Sequence, residues 1–380
     1  MLISEHNGVI RVLMIAPLPP PVGGIATWTR NILKFAQLRD DVIVFHVDSA
    51  VRSRRITQTS WHRRLTTGSV EAGRQLRQAW RAARSCHPDV LHLCSSASMS
   101  LMKDLLLVVG MRRLGIRTVV HWHFGRIPEL MQRANWEWRL LTAVCRNADC
   151  VITIDEASAA VLRRQLPESD VRCIPNPVGQ EFAVAWDTAE PLYPHRVVFV
   201  GHVLPSKGIL ELVEACTNVD IADLELHLIG PCEDDFASKV RQVAATRAGN
   251  WLQLRGVLTA NAIIDALSAS GVFVLPSYTE GFPNAILEAM AMGKAIIASR
   301  VGAIPEMLTP AGEPAAGLCV EPRNQAALCD AITLLLRDTD LNRRFGSQAH
   351  GRAMARYTMD QVFVRYRHCW AGEDATGDAH

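Results

Sequence analysis

The stretch SYTEGFPNAILEAMAMGKAII, residues 277–297, sets two carboxylates, Glu280 and Glu288, on either side of a turn formed by Gly281, Phe282, Pro283 and Asn284. The turn opens an Ala/Met-rich run that reads as a helix of small apolar residues. Gly281 frees the backbone, and Pro283 suits a first helical turn, where its missing N–H would be unpaired anyway. Amides near Asn284 and Ala285 would then point at a bound anion. Carboxylates accept hydrogen bonds and cannot bind phosphate, so Glu280 and Glu288 should meet hydroxyls. An anion pocket flanked by two hydroxyl-binding acids fits a sugar nucleotide. The plainer alternative has Glu280 complementing the helix dipole and Glu288 on the surface. The apolar surroundings of Glu288 weigh against it, because a buried acid wants a partner.

Three other places could do chemistry. In GHVLPSKG, Lys207 sits between glycines, where one cation suits a phosphate, although on this stretch alone a solvated loop lysine is the better reading. In APLPPPVGGIATW, Gly23 and Gly24 precede a helix expected to begin near Ala26 and would let amides approach an anion. A full G-x-G-x-x-G fingerprint is absent, which argues against NAD or FAD. In VVHWHFGR, His121 and His123 share one strand face by period two. Each could polarise a substrate group or be a satisfied core histidine; as a metal pair they lack an evident third ligand.

These residues need elements to hold them. Apolar runs at 9–16, 41–47, 89–94, 117–123, 149–154 and 171–175 alternate with amphipathic stretches. The pattern breaks at 176–195, which carries three prolines and reads as a linker. It resumes with runs at 196–201, 224–230, 250–256, 271–276, 295–299 and 317–320. Near-continuous apolar strands interleaved with helices predict α/β halves, each doubly wound on a parallel sheet. Sites in such sheets lie beyond the carboxyl ends of strands, and Gly24, His123, Lys207 and Glu280 all fall there.

At 380 residues, with 49% hydrophobic and 21% charged residues, the chain is expected to be a folded two-domain protein. Net charge is +2, but residues 1–180 hold 24 Lys/Arg against 14 Asp/Glu, and residues 181–380 hold 16 against 24. The basic first half suggests an anionic partner. Ten cysteines without metal spacing, and no leader at the N-terminus, predict reduced thiols in a cytoplasmic protein. The longest apolar run, 105–111, is too short to span a bilayer.

The stretch PSYTEGFPNAILEAMAMGKAIIAS resembles the donor-site signature of retaining glycosyltransferases of family 4, and the resemblance runs on through PLPPPVGGIATW, HWHFG, PNPV, GHVLPSKG and the segment from LLRDTD to TMDQV. It implies a GT-B architecture, two Rossmann-like domains facing across a cleft. Residues 1–180 would bind the acceptor, residues 181–356 the nucleoside diphosphate sugar, and residues 357–380 would form a helix crossing back to the first domain plus a frayed tail. By motif position, Glu288 would bind ribose hydroxyls and Glu280 hydroxyls of the donor sugar. Lys207 and the amides of Gly281, Phe282, Asn284 and Ala285 around Pro283 would hold the pyrophosphate, with Gly24 approaching from the other domain. His123, taken as the last residue of its strand, best matches the family histidine near the reacting sugar, with His121 in reserve. His202 stands where the family often has arginine and would contribute less to phosphate, leaving more to Lys207.

No metal is expected. The Asp-x-Asp at 338–340 reads as a capped turn, and Lys207 with a helix dipole can stabilise a leaving pyrophosphate. Arg52, Arg54, Arg55, Arg63 and Arg64 with Trp61 suit an anionic membrane at the inner face, a lipid-linked or other saccharide acceptor, or a solvated loop. Nucleic acid has no other support. The expected activity is transfer of a sugar in exopolysaccharide, capsule or glycolipid synthesis; a sugar-nucleotide epimerase and a sugar-nucleotide-binding pseudoenzyme are the rivals.

Overall fold

The computed structural model describes residues 8–20, 23–50, 61–187 and 191–373. The chain forms two units, Met1–Asn176 with Asp360–His380, and Pro177–Met359.

In the first unit β1 (Ile10–Ala16), α1 (Gly24–Ala36), β2 (Val42–Asp48), α2 (Trp61–Cys86), β3 (Val90–Ser95), α3 (Leu101–Arg113) and β4 (Arg117–Trp122) follow one another. After them come α4 (Ile127–Arg133), α5 (Trp136–Asn147), β5 (Cys150–Thr153), α6 (Glu156–Gln165) and β6 (Val171–Cys173). The strands pair in parallel in the order β2-β1-β3-β4-β5-β6. Val12, Leu13, Met14 and Ile15 are all fully buried, so β1 is covered on both faces, as its unbroken apolar sequence requires. Helices start where polar side chains take up free amides: Asn135 accepts from Glu137 and Trp138 at α5, and Asp155 accepts from Ser158 at α6.

The second unit runs α7 (Gln180–Ala183), β7 (Tyr193–Val200), α8 (Ile209–Thr217), β8 (Glu225–Ile229), α9 (Asp234–Ala244), β9 (Leu252–Gly256), α10 (Ala260–Ser268) and β10 (Ser270–Leu275). It continues with α11 (Asn284–Ala291), β11 (Ala295–Ser299), α12 (Ile304–Leu308), β12 (Leu318–Val320), α13 (Gln325–Arg337) and α14 (Thr339–Arg356). Its parallel order is β12-β11-β10-β7-β8-β9. The last helix, α15 (Met359–Ala371), belongs to the first unit, where Tyr366, Cys369 and Trp370 are buried and Arg117 Nε donates to the Cys369 carbonyl at 2.9 Å.

All twelve expected strands are present, with ends shifted by a few residues. The segment read as a linker is more structured than its prolines suggested: it contains α7 and the first residues of β7. In each sheet strand order reverses beside one strand, at β1 between β2 and β3 and at β7 between β8 and β10. Loops leaving the reversal strands diverge and leave room for a ligand. Among the described residues no helix is long and apolar enough to cross a membrane.

Candidate functional site

The reversal in the second sheet brings together two loops that the sequence holds some seventy residues apart. The loop after β7 passes through His202 and ends in a tight turn, Pro205–Lys207. The loop after β10 carries Ser277 to Pro283. Tyr278 N donates to the Ser206 carbonyl at 2.9 Å and ties one loop to the other. Gly208 makes this approach possible: its φ is +66°, and a Cβ there would lie 2.2 Å from the Pro276 carbonyl oxygen. Lys207 Nζ then sits 2.5 Å from Glu280 Oε1, and Ser277 Oγ donates to the same oxygen at 2.6 Å. Lys207 has three donors and uses one here, so it can meet a further anion without leaving Glu280.

The Glu280 loop is braced from below. Ala303 N donates to the Gly281 carbonyl at 2.9 Å. Gly302, at φ +54°, packs so closely that a Cβ would come within 2.3 Å of the Glu280 carbonyl oxygen. Pro283 stands at the cap of α11 with extended backbone, one residue before the first helical position assigned to it from sequence. The first turn of α11 carries no acidic side chain, so the positive end of its dipole faces no carboxylate of its own. The helix begins at Asn284 and Ala285, as expected, and Phe282 is buried against Tyr357, ring centroids 5.6 Å apart.

Glu288 lies one turn further on. Its immediate neighbours Leu287 and Ala289 are buried, while its own side chain is only partly exposed. Burial, and then the nearby carboxylate of Glu181 on α7, push its pKa up to about 8. Among the described residues no hydrogen bond or ion pair is recorded for its carboxylate. An acid held in this way has strong reason to accept hydroxyl donors.

In the first unit, α1 begins at Gly24, two residues before the expected start, with Gly23 extended at its cap and no acidic residue in the first turn. His123 is not the last residue of β4 but the first after it, and its amide donates to the Ser95 carbonyl at 3.2 Å. His121 and His123 do share a face, with ring centroids 3.7 Å apart. Trp28 of α1 packs edge-on against both, at 5.1 and 4.6 Å. Desolvation lowers the pKa of His123 to about 3 and drives that of His121 well below the ordinary histidine range, so both rings are neutral. The loop leaving β3 holds two non-glycine residues at positive φ, Ala97 and Ser98. Ser98 is pinned by Glu137, which accepts from its amide at 2.9 Å and its hydroxyl at 3.0 Å. Backbone strain of this kind collects at binding sites.

Other expected positions fall elsewhere. Arg52, Arg54 and Arg55 lie outside the described residues; Trp61, Arg63 and Arg64 fall on the first turn of α2. Asp338 caps α14 by accepting from Leu341 N at 2.8 Å. All ten cysteines are free. Sequence reasoning missed Ser277, Gly302, Glu181, His92 and Trp370. Ser277 lay inside the quoted motif, and His92 inside a strand; the other three are brought to their places, Gly302 and Glu181 in the second unit and Trp370 in the first, only by tertiary folding.

Residues 184–352 match the family described as Glycosyl transferases group 1, and residues 22–182 match Glycosyltransferase Family 4. Alpha-maltose-1-phosphate synthase of Mycolicibacterium smegmatis is 30% identical over 63% of this chain and 67% of its own length. An N,N'-diacetylbacillosaminyl-diphospho-undecaprenol alpha-1,3-N-acetylgalactosaminyltransferase of Campylobacter jejuni is 30% identical over 45% of this chain and 43% of its own. Among solved structures, sucrose-phosphate synthase from Thermosynechococcus elongatus superposes with a TM-score of 0.74 at 20% identity, over 96% of this chain and 100% of that one. With two Rossmann-like sheets in place and both halves matched, the chain belongs to the glycosyl transferases group 1 and has their GT-B fold.

Proposed function

We propose that this protein transfers a sugar, with retention at the anomeric carbon and without a metal, from a nucleoside diphosphate sugar to a saccharide or lipid-linked saccharide acceptor. The observation that carries the reading is the convergence, at one strand-order reversal, of Lys207, Glu280 and the start of α11, with Glu288 a turn away. Lys207 and the first amides of α11 hold the pyrophosphate, Glu288 holds the ribose, and Glu280 holds the donor sugar. The bond from the anomeric carbon to the diphosphate oxygen breaks, and a bond to the acceptor oxygen forms on the same face. The acceptor proton passes to the departing phosphate oxygen. Lys207 and the helix dipole stabilise the charge that develops there. His123, with His121 in reserve, serves as the neutral histidine near the reacting sugar, and Gly24 opens the start of α1 to the ligand.

The acceptor reading draws on the Campylobacter relative, whose name contains a diphospho-undecaprenol, and on the basic first half of the chain. A protein that docks on anionic lipid through the 52–64 segment would meet such an acceptor at the inner membrane face. Release of nucleoside diphosphate only when acceptor is added tests the main reading. Release without acceptor, change of the sugar alone, or binding without turnover would favour hydrolysis, epimerisation or a pseudoenzyme. Chelator should leave turnover intact; magnesium-dependent recovery after chelation would refute the metal-free mechanism. Sedimentation with liposomes containing anionic lipid should be lost in an Arg54→Ala/Arg55→Ala variant, and indifference to both lipid charge and variant would remove the membrane proposal.

A further inference from the structure

Trp370, His92 and His121 form a hydrogen-bond chain that can run in one direction only. Trp370 Nε1 lies 2.9 Å from His92 Nδ1, and His92 Nε2 lies 3.3 Å from His121 Nδ1. An indole nitrogen donates and never accepts. His92 Nδ1 must therefore be the acceptor, which leaves that ring's single proton on Nε2. This proton faces His121 Nδ1, which must accept in turn, and the proton of His121 is left on Nε2. All three side chains are buried. Packing holds the chain in place: Trp28 stacks on His92 with centroids 5.7 Å apart, and its own Nε1 donates to the Tyr366 hydroxyl at 3.1 Å.

The chain ends on an atom with no acceptor. His121 Nε2 is buried and has no hydrogen-bond partner among the described residues, and the same is true of His123 Nε2 on the neighbouring ring. A buried polar nitrogen left without a partner costs about 1–3 kcal/mol, so two together at the end of one strand call for a reason.

We propose that Trp370 is a positioning residue: acting through His92, it fixes His121 as the Nε2–H tautomer, so that an uncharged N–H donor stands beside His123 for a hydroxyl or phosphate oxygen of the ligand. The ligand's identity rests on the transferase reading above; the tautomers do not. The last helix of the chain thereby sets the proton position of a side chain nearly 250 residues earlier in sequence.

The same geometry disposes of a rival. Ligand atoms of His92, Cys94 and His121 lie within 4.8 Å of one another, close enough to suggest a metal. Yet in the chain neither nitrogen of His92 keeps a free lone pair, since one accepts and the other is protonated. Burial also pushes the Cys94 thiol well up, away from the thiolate a metal would need.

The test is long-range 1H–15N correlation on the full-length chain labelled at histidine. His92 and His121 are each expected as pure Nε2–H tautomers, and Nδ1–H at either ring overturns the proposal. Trp370→Phe removes the first donor, and His121 should then shift toward a mixture of tautomers; an unchanged His121 signal in the folded variant also overturns it. If that variant fails to fold, the wild-type spectrum still decides. Addition of cobalt(II) should give no thiolate charge-transfer band, and its appearance would restore the metal reading. Titration with UDP-glucose and GDP-mannose separates the two layers of the argument. A sugar nucleotide that binds, as read by thermal shift, should move the His121 Nε2 signal. Binding without that movement defeats the positioning role while leaving the tautomers standing.

Discussion

Glu288 enters the binding reaction with its proton on. Its pKa of about 8 means that the carboxyl is mostly protonated at neutral pH, whereas two ribose hydroxyls are best accepted by a carboxylate. Diol binding therefore favours the ionised form and drives a proton off. Nucleotide affinity should rise as pH is raised toward about 8 and level off above it, with a proton released below that point. Calorimetry in buffers of different ionisation enthalpy measures the release directly. Glu181→Gln removes the second cause of the raised pKa, so both the proton release and the pH dependence should shrink in that variant. Binding that weakened with rising pH would show that Glu288 acts as a donor from its acid form. Glu280 is in a different situation. It already accepts from Lys207 and Ser277, so Glu280→Ala should depress turnover more than nucleotide affinity, while Glu288→Ala should weaken donor binding. Wild-type activity in both variants would leave the site assignment without support.

Two glycines decide how the loops meet. At Gly208 and Gly302 the backbone is left-handed and a Cβ would strike a carbonyl oxygen, 2.2 Å away in one case and 2.3 Å in the other. Alanine at either position should cost at least about 1–2 kcal/mol for the backbone alone. The clash adds more and must be relieved by moving Pro276 or Glu280. Gly302→Ala should therefore lower denaturant stability and weaken sugar-nucleotide binding together, although the residue touches no proposed ligand. Destabilisation with unchanged affinity would place Gly302 in the scaffold only. At this scale much was legible beforehand. Twelve strands could be read because each is an apolar-rich run, the inner ones such as β3, β5 and β10 buried on both faces, and the Glu280 loop because glycine, proline and two acids mark it. What was hidden had no local mark. Glu181 sits on a four-residue helix inside a proline-rich stretch, with no periodicity to show it. His92 looked like any strand residue until α15 brought Trp370 against it.

Across the whole molecule, the buried histidines and the half-buried acid Glu288 set opposite pH responses in the two units. In the first unit the folded pKa of His92 is about 3, against an ordinary 6.5. Between those values the unfolded chain takes up a proton that the folded chain refuses, so stability falls as pH drops through the window. The slope is about 1.4 kcal/mol per pH unit for each fully buried histidine. In the second unit Glu288 titrates near 8 when folded and near 4.5 when not. There the folded chain holds the extra proton, so this group's contribution falls as pH rises through the window, with a shallower slope because the side chain is partly exposed. Hydrogen exchange, corrected for its intrinsic pH dependence, reads each unit separately. Peptides from β3 and β4 should open more readily at about pH 5 than at about pH 7. Peptides from α11 should open more readily at about pH 8.5 than at about pH 6.5, and Glu288→Gln should abolish that second trend. A common acid-labile response in both units, unchanged by Glu288→Gln, would mean that Glu288 is ionised and solvated before any ligand arrives, and the proton release argued for the donor site would fall with it.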